Sequence, residues 1–155
     1  MRLVSVTFVM FMFVVGISDA QEYNTGIGIR AGISSGLTIK HFKSKKAAFE
    51  GLLTTRWEGF DITGLYELHA RAFDTDHLNW YYGGGAHIGF YNGDHANWGT
   101  NGTAYTVIGV DGILGLEYTF DEIPVNIGID WKPALNLVGY YGFWSEGGLS
   151  LRYVF

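Results

Sequence analysis

From Glu22 onward, apolar and polar positions alternate with a period of two, the spacing that a strand imposes on its two faces. Between Ile62 and Phe73, one face carries Ile62, Gly64, Tyr66, Leu68, Ala70 and Ala72, and the other Thr63, Leu65, Glu67, His69 and Arg71. Leu78, Trp80, Tyr82, Ala86, Ile88 and Phe90 oppose Asn79, Tyr81, His87 and several glycines. Ile108, Val110, Leu114, Leu116, Tyr118 and Phe120 oppose Asp111 and Glu117, while Val125, Ile127, Ile129 and Trp131 oppose Asn126, Asp130 and Lys132. The last segment sets Leu149, Leu151, Tyr153 and Phe155 against Ser150 and Arg152. Nearer the start, Phe49, Gly51, Leu53, Thr55 and Trp57 oppose Glu50 and Arg56. Ile27, Ile29 and Ala31 oppose Gly26, Gly28 and Arg30, and Leu37 and Ile39 oppose Thr38 and Lys40. No helical period competes, so the fold class is all-β. Turn-like stretches fall at Lys43–Lys46, Glu58–Asp61, Asp74–His77, Asn92–Thr103, Asp121–Pro124 and Pro133–Trp144.

The first twenty residues follow a different rule. Arg2 precedes an apolar run from Leu3 to Gly16 and then Ser18-Asp19-Ala20, a small-x-small cleavage pattern. Residues 1–20 are expected to be a secretory signal peptide, cut before Gln21, with residues 21–155 forming one domain. That run is short for a membrane-spanning helix, and no later apolar stretch is long enough to span as one. If the domain enters a bilayer, it must do so as a closed barrel, because only closure satisfies every backbone group.

Composition narrows the choice. Aromatic residues make up 17% of the chain and 23 positions are Gly, a pairing that suits strands with close backbone approaches. The absence of Cys excludes disulfides, thiolate metal sites and a lipidated N-terminal Cys. A net charge of −5 lacks the basic footprint of a nucleic-acid binder.

Alternation alone leaves open which face points inward, since a soluble ligand-binding barrel and a membrane barrel are inverses. Three features favour the membrane arrangement. The polar face is rich in small residues (Gly26, Gly28, Gly83, Gly85, Gly89, Gly109, Gly115 and Gly128), as a crowded narrow lumen requires. Its charges nearly cancel, with Arg30, Lys40, Arg56, Arg71, Lys132 and Arg152 against Glu50, Glu67, Asp111, Glu117 and Asp130. A buried network needs that balance and a solvated face does not. Trp57, Trp80, Tyr82, Tyr118, Phe120, Trp131, Tyr153 and Phe155 lie toward segment ends on the apolar face, where interfacial aromatic girdles belong. Single-chain bacterial barrels have even strand numbers and short periplasmic turns. Parity therefore divides the Ile27–Ile39 stretch at a hairpin over Ser34-Ser35-Gly36, giving an eight-stranded antiparallel up-and-down transmembrane β-barrel.

The segments then resemble a known family. Gly36-Leu-Thr-Ile-Lys-His-Phe followed by Ala48-Phe-Glu-Gly-Leu-Leu resembles the second and third strands of OmpX/OmpA-like outer-membrane barrels. Gly64-Leu-Tyr-Glu-Leu and Trp80-Tyr-Tyr-Gly-Gly-Gly-Ala-His-Ile-Gly resemble the next hairpin. Leu149, Leu151, Tyr153 and terminal Phe155 resemble the C-terminal signal read by the barrel-assembly machinery. The resemblance implies an integral protein of a Gram-negative-type outer membrane. It would be monomeric, in contact with the lipid bilayer and lipopolysaccharide, and without cofactor. The hairpins near Ser34–Gly36 and Glu58–Asp61 are shorter than the family's usual outer hairpins, which argues against long strands protruding toward a host surface. No OmpA-like peptidoglycan-binding domain is expected after Phe155.

Candidate chemistry is sparse. Some barrels of this kind modify lipid A as hydrolases or acyltransferases, which needs Ser, His and a carboxylate in hydrogen-bond reach. His41 and Ser44 are close in sequence but fall in a turn expected to face the periplasm. His69 and His87, with Glu67, Glu117 or Asp111, form either a metal or pH-sensitive cluster or part of a lumenal polar network, and the network is the reading adopted. Asp94-His95 and Asp74-Thr-Asp-His77 read as turn residues, no metal-ligand spacing stands out, and Asn101-Gly-Thr103 carries no weight as a glycosylation acceptor. The expected role is structural or surface-interacting, not catalytic, with a lipid A-modifying enzyme and a narrow pore as alternatives. Trp98, Tyr140, Tyr141, Phe143 and Trp144 are the candidate contact residues of the outer loops.

Overall fold

The computed structural model describes residues 23–56, 59–92, 104–139 and 142–155. Eight strands occur among them: β1 Thr25–Gly32, β2 Ser35–Phe42, β3 Ala47–Arg56, β4 Gly59–Arg71, β5 Leu78–Asn92, β6 Ala104–Thr119, β7 Val125–Val138 and β8 Gly142–Val154. Each pairs antiparallel with its sequence neighbours, and β8 closes on β1 to complete a barrel. No helix occurs among the described residues. The signal-peptide expectation for residues 1–20 lies outside the described residues, as do Trp57, Asp94, His95, Trp98, the Asn101–Thr103 sequon, Tyr140 and Tyr141.

Closure brings the start of β1 against the residue that follows β8. Phe155 N donates to Thr25 O (2.9 Å), and Asn24 N and Thr25 N donate back to Phe155 O (3.1 and 2.9 Å). The residues just before β1 and just after β8 thus meet at one end of the barrel, here the proximal end. The pairing path from Gly26 at the proximal end of β1 runs through Lys40, Glu50, Leu65, Gly85 and Asp111 to Ala134 and Trp144, at the distal end of β8. The strands are therefore strongly tilted to the axis, as a narrow barrel requires.

Alternation turns directly into inside and outside. Along β4 the burial pattern alternates strictly, with Asp61, Thr63, Leu65, Glu67 and His69 inward and Ile62, Gly64, Tyr66 and Leu68 outward. Across all eight strands, no outward-facing described position carries Lys, Arg, Asp or Glu. Exposed Ile27, Ile29, Leu37, Ile39, Leu53, Ile129 and Leu149 belong to this apolar exterior. The aromatic side chains are less uniform. Phe73 packs on Trp80 (5.2 Å), Tyr118 on Phe120 (5.0 Å) and Tyr153 on Phe155 (6.0 Å) near the proximal end, and Phe60 lies against Phe90 (5.1 Å) toward the distal end. Trp131 and Tyr82 sit within their strands and do not fall at the ends, so they depart from the expected girdle.

Several turns are shorter than the polar composition implied. The first hairpin turns at Ile33 and Ser34, and Ser35 and Gly36 already belong to β2. Gly59, Phe60 and Asp61 are strand residues, paired with Arg56, Thr55 and Thr54, so the Glu58–Asp61 turn reading is corrected. The largest correction is Pro133–Trp144, which is strand except near its centre. Pro133 lacks an N–H and would ordinarily break a central strand. It is tolerated because the β6–β7 ladder is interrupted there, between Leu114↔Trp131 and Asp111↔Ala134, while Pro133 stays in register with Ser145 on β8.

Candidate functional site

The inward positions bring together a set of ionic side chains that a greasy interior would not hold. Eleven of the thirteen charged or histidine residues placed by sequence on the polar face are buried inside: Arg30, Lys40, Glu50, Glu67, His69, His87, Asp111, Glu117, Asp130, Lys132 and Arg152. They form two clusters along the axis.

The proximal cluster centres on Lys40, whose side chain is fully buried. Its Nζ lies 2.8 Å from Glu67 Oε2, 3.3 Å from Glu117 Oε2 and 3.8 Å from Glu50 Oε2, and 3.9 Å above the Tyr81 ring. Arg152 bridges Glu50 and Glu117, approaching Glu117 at 3.7 Å, and its Nη1 donates to Asn126 Oδ1 (3.1 Å). Thr38 Oγ1 donates to Glu50 (2.6 Å) and accepts from Arg152 Nε (3.3 Å). Tyr23 OH donates to Glu117 Oε2 (3.2 Å). Below these ions Tyr23, Phe42, Ala48 and Val154 form an apolar floor at the proximal end.

The distal cluster is joined through Arg30 and Glu146. Arg30 clamps Asp130 with Nη2 (2.6 Å) and Nε (3.4 Å) and donates from Nη1 to Glu146 Oε1 (3.1 Å). Its guanidinium lies over Gly148, where a Cβ would collide with it, so the missing side chain makes room for the arginine. Ser34 Oγ donates to Glu146 (2.7 Å), and Lys132 Nζ reaches Asp111 (3.1 Å) and Glu146 (3.6 Å). His87 contacts Asp111 Oδ2 through Nδ1 and Asn136 Oδ1 through Nε2, each at 2.7 Å. Tyr91 OH donates to Asp61 (2.6 Å). Between the clusters, Leu52, Leu65, Tyr81 and Ile113 pack together as an apolar wall.

Sequence reasoning misplaced four of these residues. Asp61 and Glu146 are lumenal acids that it missed, because one fell in a stretch read as a turn and the other just beyond one. Trp144, expected in an outer loop, sits on the inward parity of β8 at the distal mouth. The Arg56 guanidinium and the Lys132 ammonium both lie 4.7 Å from its ring centroid, and the His87 ring at 6.2 Å. Trp144 thus lies at the distal mouth as a half-buried strand residue, not in a loop. Phe143 does face outward and is 69% exposed, but from within β8. Arg71 sits at the proximal rim of the barrel, not deep in the lumen. At the end of β4 it meets Asp76 at 3.6 Å with its side chain 39% exposed, because the inward face ends where the strand does. Arg56 is half-buried at the mouth.

The candidate catalytic pairings do not assemble. His41 points outward and its Nδ1 contacts Thr25 Oγ1 (2.9 Å), while Ser44 Oγ accepts from Ala47 N (3.2 Å) as a turn cap. His69 and His87 lie in different clusters: His69 pairs across to Tyr81 and His87 to Thr63. No group of three metal-ligating side chains occurs among the described residues. Leu149, Leu151 and Tyr153 face outward on β8, followed by exposed Phe155.

Fold and site together define a class: a closed, antiparallel eight-stranded barrel with an uncharged apolar exterior and an ion-filled interior. No protein-family model, curated protein or solved structure matches the chain.

Proposed function

We propose that this chain is an integral outer-membrane β-barrel of the OmpX/OmpA-like kind, with residues 1–20 as its cleaved export signal and a structural or surface-interacting role. The carrying observation is the exterior: eight strands without a charged outward position among the described residues. Such a surface is a liability in water and a match for hydrocarbon. The inverse, soluble arrangement would place these Ile and Leu side chains inside, where Arg30, Lys40 and Arg152 are found instead.

Lipid and lipopolysaccharide are then the partners of the apolar belt, and the barrel-assembly machinery reads Leu149, Leu151, Tyr153 and Phe155 during biogenesis. The barrel works as a monomer without cofactor. The ion pairs, with Trp144 at the distal mouth, support a lumen closed to steady ion flow, which favours a scaffold over a pore. The non-catalytic reading rests on His41 and Ser44 each bonding elsewhere, to Thr25 and Ala47, and on Ser34 being committed to Glu146.

Fractionation tests the proposal. The protein is expected in the outer-membrane pellet, resistant to carbonate extraction, and faster-migrating in detergent gels before boiling than after. Recovery in the aqueous periplasmic fraction would refute it. An altered lipid A acyl pattern by mass spectrometry, present only when the protein is expressed, would replace the scaffold reading with an enzymatic one.

A further inference from the structure

The fixed charges of the sealed lumen do not close. In the proximal cluster, Lys40 and Arg152 meet three buried carboxylates, Glu50, Glu67 and Glu117. In the distal cluster, Arg30, Lys132 and half-buried Arg56 meet four, Asp61, Asp111, Asp130 and Glu146. Each cluster is one positive charge short, and each contains one buried histidine. An uncompensated buried charge is strongly destabilising, so the missing charge must come from somewhere within reach.

The geometry of both histidines supplies it. His69 Nε2 lies 3.2 Å from Glu67 Oε2 and its Nδ1 3.3 Å from Glu117 Oε1. Only the Nε2 contact has hydrogen-bond geometry, and Nδ1 is left without a hydrogen-bond partner. A neutral imidazole would still set a lone pair beside one of the two carboxylates, whereas the imidazolium places positive charge within ion-pair distance of both. The ring is held between Phe42 (4.7 Å) and Tyr81 (5.3 Å), which fixes it between the two acids. His87 faces one acid, Asp111 Oδ2 at Nδ1, and has the Asn136 amide at Nε2.

We propose that His69 and His87 are both imidazolium ions in the folded barrel, each closing one cluster to electroneutrality, so that the plug binds two protons and loosens as the surroundings turn alkaline. The inference stands on the lumenal charge count whether or not the membrane role above holds. The groups facing His69 are Lys40 from β2, Glu50 from β3, Glu67 on its own strand, Tyr81 from β5, Glu117 from β6, Arg152 from β8 and the Tyr23 hydroxyl. Glu50 and Glu67, each with one oxygen lacking a hydrogen-bond partner, compete with His69 for the same proton. Those facing His87 are Arg56 from β3, Asp61 from β4, Tyr91 on β5, Asp111 from β6, Lys132 from β7 and Glu146 from β8.

The sign follows from linkage. A proton held more tightly in the folded than in the unfolded chain gives stability that is complete below the ordinary histidine value of about 6.5 and is lost as pH rises above it. For two such protons, the unfolding equilibrium constant grows by up to about 100-fold per pH unit above about 6.5, and by up to about 10-fold where only one remains.

Nitrogen-15 spectra of the histidine side chains, taken on the full barrel in lipid nanodiscs at neutral pH, read the state directly. Both ring nitrogens of His69 and of His87 are expected to carry hydrogens; a neutral tautomer at either residue overturns the inference there. Urea unfolding in vesicles between pH 6.5 and 9 gives the second test. The wild-type barrel should weaken with rising pH, and His69→Gln/Glu67→Gln, whose proximal cluster is neutral with no proton to lose, should show half that slope. The double variant His69→Gln/Glu67→Gln, neutral again without the imidazolium, should regain stability over His69→Gln alone. A flat pH profile, or a double variant worse than the single, contradicts the proposal. If His69→Gln does not fold, the wild-type spectra and slope decide it.

Discussion

Replacing Lys40 with Met removes one charge from the centre of the proximal cluster while keeping most of the side chain's length. Lys40 Nζ has three carboxylates within 2.8, 3.3 and 3.8 Å, in a fully buried position. Each contact near 3 Å is worth roughly 5 kcal/mol at an effective dielectric constant of about 20, so the raw electrostatic loss is far larger than any barrel would survive. The loss is capped, however, because one carboxyl group can take up a proton and restore the balance. Protonating a glutamate with an ordinary value near 4.3 costs roughly 4 kcal/mol at pH 7 and about 1 kcal/mol at pH 5. The cap therefore sets the outcome. Lys40→Met is expected to destabilise the barrel by roughly 4 kcal/mol at pH 7 and by only about 1 kcal/mol at pH 5, within the range for breaking a buried ion pair. Urea unfolding in detergent micelles, compared with wild type at each pH, measures both. An equal loss at the two pH values, or less than about 1 kcal/mol at pH 7, would refute the assignment of Lys40 as a dry counter-ion.

Other substitutions probe the rest of the arrangement. Arg71→Ala should change stability by less than about 0.5 kcal/mol, because its ion pair with Asp76 is a solvated one; a loss comparable to that of Lys40→Met would place Arg71 deep in the lumen. Trp144→Ala removes the ring from between Arg56 and Lys132, and single-channel recording in planar bilayers should show discrete openings that wild type lacks. Closed traces for both proteins would mean the ion pairs alone seal the barrel. Gly85→Val should abolish folding into vesicles, since a side chain there would run into the Gly64 carbonyl on β4; a folded, heat-modifiable variant would show that the lumen has room to spare.

The faces of the strands are legible in the sequence because the period-two signal is strong wherever one side is apolar and the other carries the charges. Ile62 to Leu68 and Ile127 to Trp131 are placed by pattern alone, and the fixed inside charges follow from them. Ends were not legible, for a physical reason. In a strongly tilted barrel the strands run on past the apolar belt, so their last residues are polar or aromatic and look like turn. Asp61 and Glu146 are hidden that way, and Trp144 reads as a loop aromatic because it closes the turn-like stretch Pro133–Trp144. The opposite error places Arg71 deep inside, since alternation carried to the last residue of β4 has no means of sensing that the strand has reached the rim. Nor could composition show the charge deficit: counting Arg71 in and Asp61 and Glu146 out gives a near balance, whereas the assembled lumen is short of cations. The partners of each ion depend on a register across strands far apart in sequence, as with Arg30 and Asp130, and no local pattern encodes that.

The chain contains no cysteine, so single cysteines carrying a nitroxide can be introduced along β7 without background. Collision rates with oxygen, which dissolves in lipid, and with a water-soluble nickel complex would be read in vesicles from Ile127 to Trp131. Ile127, Ile129 and Trp131 should collide with oxygen and not with nickel, and the interleaved Gly128 and Asp130 with neither. Nickel collisions at the three outward positions would mean that water surrounds this barrel, and the membrane account would fall.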